Sequence, residues 1–403
     1  MLKIVQIQFS GKSAGSSALR LQNGFSHSES VESQIISLYG AGEEVDGVFY
    51  LNAWARFKSW VNNKLSGKIY KYDHSKYGLY SYPLTGTDVS KLKMVQEADA
   101  IYIHWVQMGF FDFNSFSKLF QLKKRIFIVM HDMWFLTGGC HYAVDCVSYE
   151  DSCEKCPIFP NNSKIASSQH RVKGELIANY GKDLQFITPS LWLRDLGYKS
   201  SLLKNQSIHF VPNFFSSPHF KSGNQTEARK LLSIDSSKKV ICFGAVNISS
   251  IYKGWRFLKE AFVHLHKYYS NDEVEVAIFG NGDLKEFEAS INFKIHYLGY
   301  LEDEDKIALA YKCADVFVIP SILDNQPTTI VESMHCGVPV VGFNLCGIPE
   351  MIDHKKNGYI AEAYNSLDLA DGIRFCLDHQ LDVSLKEEYL PKSVLSAHLN
   401  LLN

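Results

Sequence analysis

Val316-Phe317-Val318-Ile319-Pro320-Ser321-Ile322-Leu323-Asp324-Asn325-Gln326-Pro327-Thr328-Thr329-Ile330-Val331-Glu332-Ser333-Met334-His335-Cys336-Gly337-Val338-Pro339-Val340-Val341-Gly342 carries a strand, a loop, a helix and a second strand in one run. The apolar run 316–319 reads as a buried strand closed by a Pro-Ser turn. A helix is expected from Thr328 or Thr329, with Gly337 as its C-terminal cap and Pro339 leading the next strand. Working outward, further short apolar runs stand at 239–244, 274–279, 295–298 and 338–342. An earlier series covers 2–8, 100–104, 125–130, 185–188 and 208–211, with a helix expected at 18–25. Apolar runs separated by helical segments are the pattern of parallel sheets with crossovers. The chain therefore reads as α/β: two Rossmann-like halves, residues 1–215 and 216–380, with a polar linker over 216–227. A final helical segment, 381–403, is expected to cross back to the first half. Two such domains facing one another would bind a ligand in the cleft between them, outside the carboxyl ends of the strands.

The quoted loop and helix hold two carboxylates, Asp324 and Glu332. Free amides at a helix N-terminus, with its dipole, can hold a diphosphate. A carboxylate one turn into that helix can accept two ribose hydroxyls, and one in the preceding loop can grip hydroxyls of a sugar. Alone, such a pair more often marks solvated acids. The segment nevertheless resembles the acid-x7-Glu signature of retaining GT-B glycosyltransferases of family 4. The resemblance continues through Cys346-Gly347-Ile348-Pro349-Glu350-Met351-Ile352 and Asn357-Gly358-Tyr359-Ile360. Asp324-Asn325, where many relatives begin with Glu, is similar to a colanic-acid-biosynthesis-like subgroup.

That resemblance implies a nucleotide-sugar donor, UDP- or GDP-linked, and catalysis without a required cofactor. It places Asn325, Gln326, Thr328, Thr329 and Glu332 on the donor and gives Asp324 a catalytic role. Phe243 to Trp255 resembles the family's basic region, so Lys253 would meet the departing diphosphate, where charge develops in the transition state. Many relatives have Arg six residues before this Lys. Asn247 stands there here and is assigned to donor binding, with Arg256 as a substitute charge. In the first half, His131 follows the strand 125–130, and the resemblance sets it against the donor sugar as a catalytic residue. Asp132 is an alternative acceptor base, although the resemblance implies that the donor's own β-phosphate helps to deprotonate the acceptor. Gly15, in a small-residue loop after the first strand, would let the backbone approach the diphosphate.

An insert over 137–157 places Cys140, Cys146, Cys153 and Cys156 within seventeen positions. Cys153-x2-Cys156 has the spacing of a metal knuckle, so a structural zinc is one reading, with His141 as a competing ligand. A disulfide pair and unpaired thiols are the others. Residues 51–80 hold six Lys or Arg against one Asp, with Trp54, Phe57, Trp60, Tyr70, Tyr72 and Tyr77 interleaved. This stretch reads either as a solvated loop or as a peripheral contact with an anionic membrane.

The bulk numbers bound the rest. The chain has 403 residues and a formal net charge of −2, so it exerts no long-range pull on nucleic acid, and no recognition motif for it is present. Lys3 and Gln6 interrupt the first apolar run, which is not a signal peptide, and no stretch of about 18 apolar residues exists. A cytoplasmic location is expected, in places peripheral at the inner face of the membrane, with the nine cysteines mostly reduced. The expected function is transfer of a sugar, with retention, to a glycan or lipid-linked acceptor in surface polysaccharide assembly. Its rivals are another GT-B enzyme, an epimerase or a phosphorylase, and a non-catalytic sugar-nucleotide-binding module.

Overall fold

The computed structural model describes residues 1–403 apart from 11–16, 41–44, 284, 286–288 and 290 and the side chain of residue 75. The chain divides into two units, residues 1–216 with 391–403, and residues 217–390. The first holds a seven-stranded parallel sheet of β1 (Leu2–Ser10), β2 (Val31–Tyr39), β3 (Val48–Tyr50), β4 (Ala100–Ile103), β5 (Arg125–Val129), β6 (Leu184–Thr188) and β7 (Ile208–Phe210). Its strand order is β3-β2-β1-β4-β5-β6-β7. The second unit holds six parallel strands, β8 (Lys239–Asn247), β9 (Val274–Asn281), β10 (Lys294–Gly299), β11 (Val316–Ile319), β12 (Val340–Phe343) and β13 (Gly358–Ala361), ordered β10-β9-β8-β11-β12-β13. Each order reverses direction once, between β1 and β4 and between β8 and β11. That reversal opens a crevice at the carboxyl ends of the strands.

The strands form where β-branched and aromatic residues run without a break, because helices cover both faces of a parallel sheet. Val316, Phe317 and Val318 in β11, and Val274, Val276 and Ile278 in β9, are fully buried. Three strands were not foreseen. In β2 the polar run Glu32-Ser33-Gln34 follows Val31, and the apolar run comes only in its second half. β3 and β13 have three and four residues, too short to show a period. Glu275 is buried in β9 because Lys294 Nζ and His296 Nε2, both on the edge strand β10, bond its two oxygens at 2.9 and 2.6 Å.

The polar stretch 216–227, expected as a linker, belongs almost wholly to the second unit and runs into a helix, Gln225–Leu231. Asn224 caps it by accepting from the Glu227 amide, so polar residues that looked like linker are a helix start. Arg229 of this helix is buried, and its guanidinium donates to the carbonyls of Cys313, Ser236 and Lys238 and to Asp315 Oδ2 at 2.7 Å. Asp315 Oδ2 also accepts from the Val240 amide at 2.6 Å. One side chain thus joins the first helix of the unit to the starts of β8 and β11.

The C-terminal helix Pro391–Leu402 belongs to the first unit, where Val394 and Leu402 pack with Leu21, Phe25, Tyr102 and Phe127. Residues 381–390 stay with the second unit. Among the described residues no helix is long and apolar enough to cross a membrane.

Arg229→Met removes the donors of three carbonyls and leaves Asp315 with one partner fewer. A loss of about 3 kcal/mol is expected from breaking a buried, hydrogen-bonded ion pair on one side. Urea unfolding checks this, and a loss within error of zero would mean that the pair does not hold β8 and β11 together.

Candidate functional site

The second unit gathers its site residues at its sheet reversal. β8 ends at Asn247, and a tight turn, Ile251–Lys253, follows. Gly254 closes that turn at φ 70°, and a Cβ there would stand 1.8 Å from the Pro320 carbonyl oxygen, so only glycine fits. The Ile322 amide donates to the Tyr252 carbonyl at 2.9 Å. The turn after β8 is thereby laid against the loop after β11. The contact brings Lys253 Nζ to 2.8 Å from Asp324 Oδ2, with the carboxylate mostly covered.

The helix Thr328–His335 begins where the sequence places it. Its N-cap residue is Pro327, and no side chain caps it. The first amides of a helix have no intrahelical carbonyl to meet, and Asn325 and Gln326, just before this helix, are buried. Glu332, one turn in, is buried and accepts from the Tyr311 hydroxyl at 3.0 Å. Burial, then the Glu332 charge, keep the Tyr311 phenol protonated far past its ordinary range. Tyr311 is therefore a fixed donor that orients Glu332, and its place in a distant helix, Glu304–Lys312, hid it from sequence reading. Asn247 is exposed, and its Oδ1 accepts from the Ser249 amide at 3.1 Å. Arg256 is exposed, and its guanidinium lies 4.5 Å over the ring of buried Phe257.

In the first unit His131 stands two residues past the end of β5. Its Nε2 is 3.2 Å from His104 Nδ1, and His104 Nε2 is 2.9 Å from Gln6 Oε1. Gln6 Nε2 donates to Ser33 Oγ at 3.0 Å, which fixes the amide oxygen toward His104. An amide oxygen only accepts, so His104 carries its proton on Nε2 and accepts at Nδ1. His131 must then carry its proton on Nε2, leaving Nδ1 as its acceptor nitrogen. Burial pushes His131 down to about 4, against the pull of Asp132, and holds His104 well below its ordinary range. Both rings are neutral near pH 7. Gln6, His104 and His131 sit on or just past β1, β4 and β5, at the reversal of the first sheet. Gln6 and His104 escaped sequence reading because each looks like an isolated polar residue in a strand.

Asp132 is already committed. Its Oδ2 accepts from His141 Nδ1 at 2.6 Å and Trp105 Nε1 at 2.9 Å, and its Oδ1 accepts from the Trp134 amide at 2.8 Å. Burial opposes the carboxylate, but His141, the Trp134 amide and Trp105 outweigh it and lower its pKa. Such a group is a poor base. His141 Nε2 lies 2.7 Å from Ser81 Oγ, so both ring nitrogens are occupied and His141 is not available as a metal ligand. Gly15 lies outside the described residues.

Cys140, Cys146, Cys153 and Cys156 all line one small cavity of about 20 Å³, and none forms a disulfide. Among the described residues no three His, Cys, Asp or Glu side chains are set to hold a metal ion. Beside the cluster, Lys173 is buried, with its Nζ 3.4 Å over the Trp134 ring and bonded to the carbonyls of Trp134 and Thr137.

Residues 237–379 match the family model described as glycosyl transferases group 1. The chain is 26% identical over 194 residues to N-acetyl-alpha-D-glucosaminyl L-malate synthase of Bacillus anthracis, covering 45% of this chain and 48% of that protein. It is 29% identical over 113 residues to N,N'-diacetylbacillosaminyl-diphospho-undecaprenol alpha-1,3-N-acetylgalactosaminyltransferase of Campylobacter jejuni, covering 27% and 29%. The chain thus spans about half or less of the curated relatives it matches. Among solved structures, Anabaena Alr3699/HepE in complex with UDP aligns over 100% of this chain and 94% of its own, with TM-score 0.60 and 15% identity. The architecture is the GT-B fold.

The neutral histidines give a pH dependence. His398, on the C-terminal helix, is buried near Phe25 and Tyr102, and burial lowers it to about 3. Unfolded, it and His131 take up a proton near pH 6.5. Folded, they do so only near 3 and 4. Stability is therefore complete above 6.5 and falls as the pH drops from there toward 4. His398→Leu should flatten the acid limb by about one proton. Unfolding free energies across this range test it, and an unchanged slope would show that His398 is already charged in the fold.

Proposed function

With residues 237–379 as a group 1 glycosyl transferase domain in a GT-B chain, we propose that the protein transfers a sugar from a UDP- or GDP-sugar to a glycan or lipid-linked acceptor, with retention at the anomeric carbon. The observation that carries this reading is the Lys253–Asp324 contact at 2.8 Å beside the open start of the helix that bears Glu332. A nucleotide sugar divides that pair. Its diphosphate takes the Lys253 ammonium and the helix amides, its ribose hydroxyls donate to Glu332, and a hydroxyl of the transferred sugar donates to Asp324. The C1–O bond to the diphosphate breaks while a new C1–O bond forms on the same face. The acceptor hydroxyl proton passes to an oxygen of the departing phosphate. Lys253 stabilises the charge that gathers there. In the first unit, neutral His131 presents Nδ1 as its acceptor nitrogen, and we assign it a catalytic role toward a sugar hydroxyl. The UDP-bound structural neighbour and the undecaprenol-linked relative support this donor and acceptor class. The pathway we propose is surface polysaccharide assembly at the inner face of a membrane.

For the cysteine insert we propose a structural zinc held by Cys140, Cys146, Cys153 and Cys156. The support is the single cavity that all four thiols line, beside buried Lys173, whose ammonium form a four-thiolate zinc site of net negative charge would balance. The thiols would have to draw together on the metal.

A panel of UDP- and GDP-sugars, scored by nucleotide release and by NMR of the anomeric product, tests the reaction. An inverted product would end the retaining reading, and no release with any donor would end the enzyme reading. Glu332→Gln should cost about 1–3 kcal/mol of donor affinity by calorimetry, the value of a charge-assisted hydrogen bond. Unchanged affinity would remove Glu332 from the site. Metal analysis of purified protein should find about one zinc per chain, and a strong chelator should lower the Tm without abolishing nucleotide release. No zinc, with all four thiols alkylated in the native protein, would end the zinc reading.

A further inference from the structure

The helix Ala53–Ile69 is built inside out. Its buried residues are Ala55, Ser59 and Asn62, which are small or polar. Its large apolar side chains face outward: Trp54 is 62%, Phe57 49%, Trp60 54% and Ile69 56% exposed. The aromatic three form a stack, Trp54 on Phe57 at 5.4 Å and Phe57 on Trp60 at 5.8 Å, with interplanar angles of 22°. An ordinary surface helix buries its apolar stripe and wets its polar one. Contiguous aromatics on the wet side need a partner that is not water.

The charge around this ridge says which partner. Arg56, Lys58, Lys64 and Lys68 share the helix, Lys71 follows it, and no acid occurs over residues 47–72. Exposed Lys64 and Lys68 flank exposed Leu65 and Ile69. Tryptophan rings settle at the headgroup level of a bilayer, and lysines beside them meet anionic headgroups. A protein partner of ordinary composition would not call for a wholly cationic border.

We propose that the outward face of the helix Ala53–Ile69 docks on an anionic lipid surface, with Trp54, Phe57 and Trp60 entering the headgroup layer and Lys64 and Lys68 on the lipid phosphates. The inference deepens the proposed function, since it rests on a lipid-linked acceptor reached at a membrane. The helix is held independently of the ridge. Asn62 Oδ1 accepts from the Leu84 and Thr85 amides at 2.7 and 3.1 Å, and Ser59 Oγ donates to the Met108 carbonyl at 2.7 Å. Changes on the outer face therefore leave the fold in place.

Co-sedimentation of the full chain with vesicles of phosphatidylcholine, alone or mixed with phosphatidylglycerol, tests this. Binding is expected to the mixed vesicles only, to weaken with salt, and to shift the tryptophan emission to shorter wavelength. Lys64→Gln and Lys68→Gln should each weaken it about five-fold. The triple variant Trp54→Ala, Phe57→Ala, Trp60→Ala should abolish binding and the emission shift, while its circular dichroism and its nucleotide release with a soluble acceptor stay those of the unchanged chain. Equal vesicle binding by the triple variant overturns the proposal. So does a wild-type chain that ignores both vesicles. A wild-type dimer in sedimentation that the triple variant dissolves, without vesicle binding, would reassign the ridge to a second copy of the chain. Vesicle binding without sugar transfer would keep the ridge and reject the function, and transfer to a soluble acceptor without vesicle binding would do the reverse.

Discussion

The second unit depends on one close approach, the backbone of Gly254 against the carbonyl of Pro320. Without a Cβ the turn after β8 can lie on the loop after β11. Everything polar at the sheet reversal follows from that contact. Lys253 and Asp324 come from loops 71 residues apart, yet they meet at 2.8 Å because the backbones beneath them already touch. The loop so fixed delivers the chain to Pro327, and Pro327 starts the helix that carries Glu332. Lys253 and Asp324 neutralise one another within the unit. A ligand that offers an anion to the lysine and donors to the aspartate replaces both halves of the pair at once. The pair therefore stores no uncompensated charge before a ligand divides it.

The first unit solves the matching problem with neutral groups. A buried charged imidazole would need a counter-ion, whereas the chain from Ser33 through Gln6 and His104 to His131 needs only hydrogen bonds. Each member fixes the proton of the next, so a strand residue on β1 decides which nitrogen of His131 accepts. Asp132, the next residue, is satisfied by three donors of its own and takes no part in that chain. Two adjacent side chains are thus separated into a poised neutral ring and a spent carboxylate, a division that their shared tetrad His131-Asp132-Met133-Trp134 does not betray.

Both sheets were largely legible because fully buried parallel strands read as unbroken apolar runs, as at 274–279 and 316–319. The loop and helix from Asp324 to Glu332 were legible because proline, glycine and spaced acids mark strand ends, caps and turns. β2 was not, since its polar first half bonds inward, Ser33 to Gln6. Partners that come from remote segments were also invisible: Tyr311 behind Glu332, Ser81 on His141, and Lys173 beside the cysteines. Sequence spacing assigns side chains to faces, and it cannot say which face of another element they will meet. His141 illustrates this, because one step from Cys140 it looks like a ligand, while the fold spends both its nitrogens elsewhere.

The stretch that forms the helix Ala53–Ile69 read as a solvated loop or a membrane contact, not as a helix. A surface helix of ordinary polarity would put Trp54, Phe57 and Trp60 inside and Asn62 outside. The fold reverses them because Asn62 has a specific inward task. One carboxamide oxygen accepts from both the Leu84 and Thr85 amides, and the Leu84 amide shares it with the Tyr82 carbonyl. Gly109, whose added Cβ would fall 2.3 Å from the Asn62 Cβ, leaves the room for that approach. With the inner face committed to hydrogen bonds, the helix gains little from apolar burial within its own unit. Its aromatic residues add nothing to the first unit's core, so their exposure is consistent with a face selected for what lies outside the chain.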